Sequence, residues 1–183
     1  MCEIFSSFAK DILKIIAFFC FLLLTGCSTM EIKTLNTEKT LKVEQTVYIA
    51  KPQDGIYNYR VYQYSGDDTQ NAIENVLYKY VTKIIMAKTV ENREQAILSS
   101  KKHRADILVF PKILDWEDHA TQWSGLQDKI RIRMEIINVA DEKQLDNSEI
   151  YHTNSSWQFT NQPTKNLLPE MLENYFSHFY NKD

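Results

Sequence analysis

An apolar stretch from Ile12 to Leu24, broken only by Lys14, runs into Thr25-Gly26-Cys27. No other feature constrains the fold as much, because it separates a leader from the part that must fold. The uninterrupted run from Ile15 to Leu24 is too short to cross a bilayer, which takes ~20 apolar residues. Its length, and the small residues after it, fit the hydrophobic region of an export signal. Glu3 and Asp11 offset Lys10 and Lys14, so the amino terminus alone makes the leader positive. Two of the three cysteines, Cys2 and Cys20, lie inside this leader. Once it is removed Cys27 stands alone, which excludes a disulfide framework and a Cys-based metal site. The domain must be held by its packed core.

Leu22-Leu23-Leu24-Thr25-Gly26-Cys27 resembles the lipobox of bacterial lipoproteins. The resemblance implies cleavage between Gly26 and Cys27 and acylation of Cys27. Residues 1–26 are then a lipoprotein signal peptide. Several acyl chains anchor stably where one holds only marginally. Ser28 follows the cysteine where an aspartate would signal inner-membrane retention. The expectation is therefore the outer membrane, periplasmic face. Residues 27–40 are polar and rich in Thr, Lys and Glu. They read as a tether, which if flexible spans on the order of 20 Å.

Residues 41–183 have the length of one domain. The net charge is −3, and Lys101-Lys102-His103-Arg104 is the only basic cluster. No nucleic-acid partner is expected. No phosphate-binding glycine loop or nucleophile elbow occurs, and no cofactor is expected.

Leu41, Val43, Val47 and Ile49 alternate toward a first strand ending near Ala50. Tyr57 to Tyr64 alternates as a short strand or extended loop. Asp67 or Asp68 can cap a helix with Ile73, Val76, Leu77, Tyr80, Val81, Ile84 and Ile85 on one face. Thr89-Val90 is a candidate short strand. Asn92 and Gln95 have capping-box spacing for a second helix to about His103. Ile107 to Phe110 is a buried strand, with Pro111 marking a bend or an edge. Ile130, Ile132, Met134 and Ile136 face one way, and Arg131, Arg133 and Glu135 the other. Residues 141–144 close a hairpin whose second strand runs from about Asn147 to Phe159. Pro169 opens a last helix with Met171, Leu172, Tyr175, Phe176 and Phe179 buried. The expected fold is α/β: a mixed sheet of about five strands with three helices, in the order β-α-β-α-β-β-β-α.

Residues 114–125 concentrate two tryptophans, a histidine and three acids. Here the chain resembles a family of bacterial lipoproteins known only as a domain of unknown function, DUF4823. The matching residues are Trp116-Glu117-Asp118, Ala120-Thr121 and Trp123-Ser124-Gly125. Asp54-Gly55, Tyr64-Ser65-Gly66 and Leu167-Leu168-Pro169 support them, while His119 and Gln122 stand where charged residues are expected. The resemblance implies a lipoprotein with an α/β body and no known reaction.

Three readings of the segment stay open. In the structural one, Asp115, Glu117 and Thr121 cap backbone donors and the tryptophans fill space. In the binding one, Trp116, Glu117, Asp118, Thr121, Trp123, Tyr57 and Tyr59 form a surface for an envelope protein or a glycan. In the catalytic one, Glu117 works with Asp118 or Asp128 on a glycosidic bond, or Asp115, Glu117 and His119 hold a metal. Adjacent strand residues face opposite ways, so Glu117 and Asp118 make a poor pair. The expected function is an envelope or surface-polymer assembly accessory acting by binding; the alternative is a glycan-active hydrolase using acids of 115–128.

Overall fold

The computed structural model describes residues 29–37, 41–119, 127–154 and 163–180. Gly26, Cys27, Thr121 and Trp123 lie outside the described residues, as do residues 155–159 of the expected last strand. The described chain forms β1 (Thr29–Thr37), β2 (Thr46–Lys51), β3 (Ile56–Tyr57), β4 (Arg60–Val61), α1 (Ser65–Leu77), β5 (Lys83–Val90), α2 (Arg93–Lys102), β6 (Ile107–Glu117), β7 (Lys129–Asn138), β8 (Gln144–Thr153) and α3 (Leu168–Ser177). A 3₁₀ turn, Thr164–Leu167, leads into α3.

Six strands make one mixed sheet in the order β1-β8-β7-β6-β2-β5, and β3 and β4 form a separate hairpin. β2 runs parallel to β5 and β6; the other pairings are antiparallel. The α/β class and the three helices are as expected. The sheet has six strands rather than five because β1 joins it, and the elements depart from expectation in two places.

The first is β1. Residues 29–37, expected within the polar tether, pair along β8 from Thr29–Thr153 to Thr37–Asp146. Met30 and Ile32 pack against the core, while Glu31 and Lys33 face solvent. That is the alternation of an edge strand with one wet face, and its charges discourage edge-to-edge pairing. The second is the region after α1. The helix stops at Leu77, and Ile84 and Ile85 belong to β5 instead. β5 then pairs with β2 from Thr46–Lys83 onward. Where that register slips after Ile49, buried Gln70 donates from Nε2 to the carbonyls of Ile49 (3.1 Å) and Ala87 (3.0 Å).

The sheet separates two cores. Val47, Ile49, Ile107, Val109, Ile130, Ile132, Met134, Ile136 and Ile150 meet α1 and α3 on one face. Tyr48, Ala50, Ala87, Leu108 and Ile137 meet α2 on the other. β2 is buried on both sides, hence its unbroken apolar run. The capping box at Asn92 and Gln95 forms as expected. So does the stripe on α3, where Met171, Leu172, Tyr175 and Phe176 are buried and Phe179 follows beyond its end. β2 pairs with β6 only at Ile107–Val109, so Pro111 lies where that flank of β6 has no strand partner. This is the edge position its missing N–H requires.

Candidate functional site

One extra residue in β6 decides where the acids go. Along β6, Ile107 and Val109 face the α1/α3 core, and Ile113 packs there too, paired with Ile132. Continued alternation would turn Asp115 and Glu117 into the same core. The register instead shifts between Ile113 and Asp115: Asp115 pairs with Arg131, Trp116 with Ile130 and Glu117 with Lys129. A one-residue bulge at Leu114 exchanges the faces. Trp116 turns inward and the two carboxylates turn outward.

Trp116 is therefore core, 4% exposed, and not part of an exposed aromatic face. It packs on the turn before the hairpin. A Cβ on Gly55 would stand 2.6 Å from the Trp116 Cβ, so only glycine fits there. The Asp54-Gly55 and Tyr64-Ser65-Gly66 segments meet at this point. Asp54 accepts from the N–H of Gly66 (2.8 Å) and of Tyr64 (3.3 Å). It thereby caps α1 from a distance, in place of the expected Asp67 or Asp68. Those two lie in the first turn, where they favour the helix dipole and pair with Lys51 (2.6 Å) and Lys165 (3.9 Å). Gly55 N–H donates to Ser65 Oγ at 2.8 Å, and a Cβ on Gly66 would meet the Pro52 carbonyl at 2.5 Å. Tyr62 Oη donates to the Asp118 carbonyl (3.3 Å), and Thr164 Oγ1 to the Glu117 carbonyl (3.2 Å). Asp54-Gly55, Tyr64-Ser65-Gly66 and Trp116 converge here as scaffolding.

On the opposite sheet face, α2 stops short of β8 and β1. The part that no described element covers carries a cleft of about 320 Å³ lined mainly by charged residues. Glu117 is buried at its edge, between Lys129 Nζ (3.3 Å) and His119 Nε2 (3.2 Å). Asp115 faces Arg131 at 3.8 Å, and Arg133 pairs with Glu149. Glu31 and Lys33 of β1 and Tyr151 of β8 complete the lining. Burial holds the Asp115 carboxyl above the ordinary carboxylate range, and Glu117 pushes the same way, against Arg131 and Lys129. Lys129 loses hydration, which alone would lower its pKa. Glu117, with Tyr151 and Tyr57, outweighs this and leaves it raised.

Asp128 is elsewhere. Its Oδ1 accepts from the His119 N–H (2.7 Å) and its Oδ2 from Asn154 (2.9 Å). Burial raises its pKa and these donors oppose the rise. Asp128 thus caps backbone, and Asp115 also accepts from the Trp116 N–H beside its Arg131 contact. Glu117 meets the side chains of Lys129 and His119. Glu117 and Asp118 point to different clefts, as adjacent strand residues must: Asp118 lines one of about 470 Å³ shared with Arg60, Tyr62, Tyr64, Asp68 and Lys165. Asp115, Glu117 and His119 do not converge as ligands; among the described residues no group of three His, Cys, Asp or Glu could hold a metal. Tyr57 meets His119 edge-on at 6.0 Å. Tyr59, on the turn of the hairpin, is fully exposed.

The sequence did not single out Lys129, Arg131, Glu149, Tyr151, Glu31 or Lys33 as one surface. The alternation of β7 was visible, but only the β1-β8-β7-β6 order makes these residues neighbours.

Residues 39–179 match the model of the family described as Domain of unknown function (DUF4823), and the chain belongs to that family. No curated protein matches the sequence. Among solved structures, the chain is similar to PelC of Paraburkholderia phytofirmans, a dodecamer, at a TM-score of 0.66 and 10% identity, covering 86% of this chain and 100% of that one. It is also similar to lipoprotein GNA1162 of Neisseria meningitidis, at a TM-score of 0.47 and 9% identity over 73% of this chain and 98% of that one.

Proposed function

We propose that this DUF4823 member is an outer-membrane lipoprotein, anchored at Cys27 with its domain on the periplasmic face, that acts by binding. It serves as an accessory in assembling the cell envelope or a surface polymer, with no defined reaction. The observation that carries the reading is the half of one sheet face that nothing among the described residues covers. There acids and bases stand in rows across four paired strands, as in Glu31-Tyr151-Arg131-Asp115. Such a surface is ordered before any partner arrives, so little side-chain freedom is lost on docking. The shared fold with PelC, a dodecamer, supports a setting in which the domain works against other chains, copies of itself included.

In-cell photo-crosslinking from positions 131 and 149, with the anchor intact, tests this. A discrete crosslinked protein or polymer is the expected result. Stable protein without a crosslink from either position would overturn the binding role of this face.

A second reading, a glycan-active hydrolase, is favoured by one observation: Asp115 and Glu117 line one cleft, with Asp115 inclined to keep its proton. Asp115→Ala and Glu117→Ala variants that fold and fully complement a deletion would eliminate it.

A further inference from the structure

We infer that the β3–β4 hairpin seats in the headgroup layer of the membrane that holds the N-terminus. The inference rests on the anchor at Cys27 proposed above.

The path of the chain comes first. β1 begins at Thr29, two residues after Cys27. The anchored Cα is thus at most ~7 Å from the first residue of the sheet. Residues 29–37 are committed to β8 and cannot pay out as a flexible tether. Whichever end of the sheet holds Thr29 is therefore drawn close to the lipid.

That end is fixed by register. Thr29 pairs with Thr153, Thr153 with Lys129 and Lys129 with Glu117. The start of β1 and the end of β6 share one rim, three strand spacings or ~14 Å apart. The hairpin projects from the same rim. Gly55 lies against Ile113 and Trp116, whereas Tyr57 has reached His119. β3 thus travels toward the end of β6, and the turn at Asn58 and Tyr59 is carried past it.

The hairpin then presents the wrong surface for water. Ile56 is 60% exposed, Tyr59 102%, Val61 51% and Tyr64 70%. Ile56 and Val61 are cross-strand partners and Tyr59 sits on the turn between them, so the exposed side chains of the hairpin are grouped rather than scattered. The turn holds Asn58 at φ 45° and Tyr59 at φ 63°, and Tyr64 sits at φ 70°. Glycine or asparagine is the usual occupant of such positions. Tyr59, kept in the left-handed region outside the core, is not explained by packing. Tyrosine has an apolar body and a polar tip, the combination enriched where bilayer meets water. Arg60, stacked 4.9 Å over the Tyr62 ring, adds a cation that anionic headgroups attract.

The test uses the full chain, expressed with its leader and reconstituted into phosphatidylethanolamine–phosphatidylglycerol vesicles. The mass of the N-terminal peptide first reads whether Cys27 is acylated. A polarity-sensitive dye is then placed at Tyr59→Cys, at Val61→Cys in case the turn resists the first change, and at Leu98→Cys on α2 as the control. Acylation occupies the only other thiol of the mature chain. The expected result is blue-shifted emission at 59 or 61, quenched by nitroxide-bearing lipid, with neither effect at 98. Acylated protein whose hairpin dye is as wet as the control overturns the inference and leaves the anchor standing. An unmodified Cys27 overturns the anchor and removes the premise, and the mass reports that separately. A hairpin dye that is dry in native envelopes but wet in vesicles points to a protein or glycan occupant, and overturns the lipid assignment.

Discussion

One face of the sheet is divided into two unlike halves. Under α2 it presents Tyr48, Ala50, Ala87, Leu108 and Ile137, all buried. Beyond Phe110 on β6 and Glu135 on β7, which accepts from Arg93 Nε of α2 at 2.9 Å, it presents Lys112, Asp115, Glu117, Lys129, Arg131 and Arg133. The same strands run through both halves, so strand propensity is not the cause. What differs is the cover. Where a helix lies above, every outward side chain must be apolar. Where none does, the strand keeps its inner face apolar and its outer face charged. Each ion pair between exposed side chains in the open half contributes ~0–1 kcal/mol, so little of the fold's stability comes from them.

Deleting Leu114 should break the distinction outright. Without the bulge, Asp115 and Glu117 would turn into the α1/α3 core and Trp116 into water. Loss of the cooperative thermal transition is expected; a normal melt would mean the bulge does not set the faces.

Raising the pH should act mainly on covered regions. Burial, aided by Glu91 beside Tyr48 and Glu173 beside Tyr80, lifts both phenols to about 12. Burial also raises Tyr175 and Tyr180. Groups whose pKa is higher folded than unfolded give stability that is fully present below pH ~10 and lost as pH rises from there through about 12. Denaturant midpoints measured from pH 8 to 12 should be level at first and then fall.

Truncation sharpens the contrast. Phe176→Ala, under the helices, should cost ~3–5 kcal/mol in urea unfolding, whereas Arg131→Ala in the open half should stay within ~0.5 kcal/mol. Equal losses would erase the two-halves description. Gly55→Ala should fall between, at ~1–3 kcal/mol, because its methyl overlaps Trp116. Smallest is Asp115→Asn. A carboxyl whose pKa is raised on folding is better off neutral, so at pH 7 the variant should gain a few tenths of a kcal/mol, and the gain should vanish near pH 3.

The covered parts were legible because they are periodic. Ile130, Ile132, Met134 and Ile136 announce β7, and the α3 stripe announces a helix. The boundary of α1 was not legible: Val81, Ile84 and Ile85 keep helical spacing by coincidence after the chain has left the helix. β1 was missed because an edge strand with one wet face carries too few apolar residues to stand out, only Met30 and Ile32 in its first half. The site resisted for a different reason. The parity change at Leu114 leaves no local mark, and the fit of Gly55 against Trp116 joins residues far apart in the chain. The family resemblance flagged both ends of that contact without saying that they touch.

The pairing of β1 with β8 also has a consequence in time. The Thr153 hydroxyl donates to the Thr29 carbonyl across 124 residues of sequence. Contacts of such separation form slowly, because the loop between them must first be closed. The strand that emerges first during synthesis therefore waits, unpaired, for the last strand to be made. This edge of the sheet can close only after nearly all of the chain between Thr29 and Thr153 has been made.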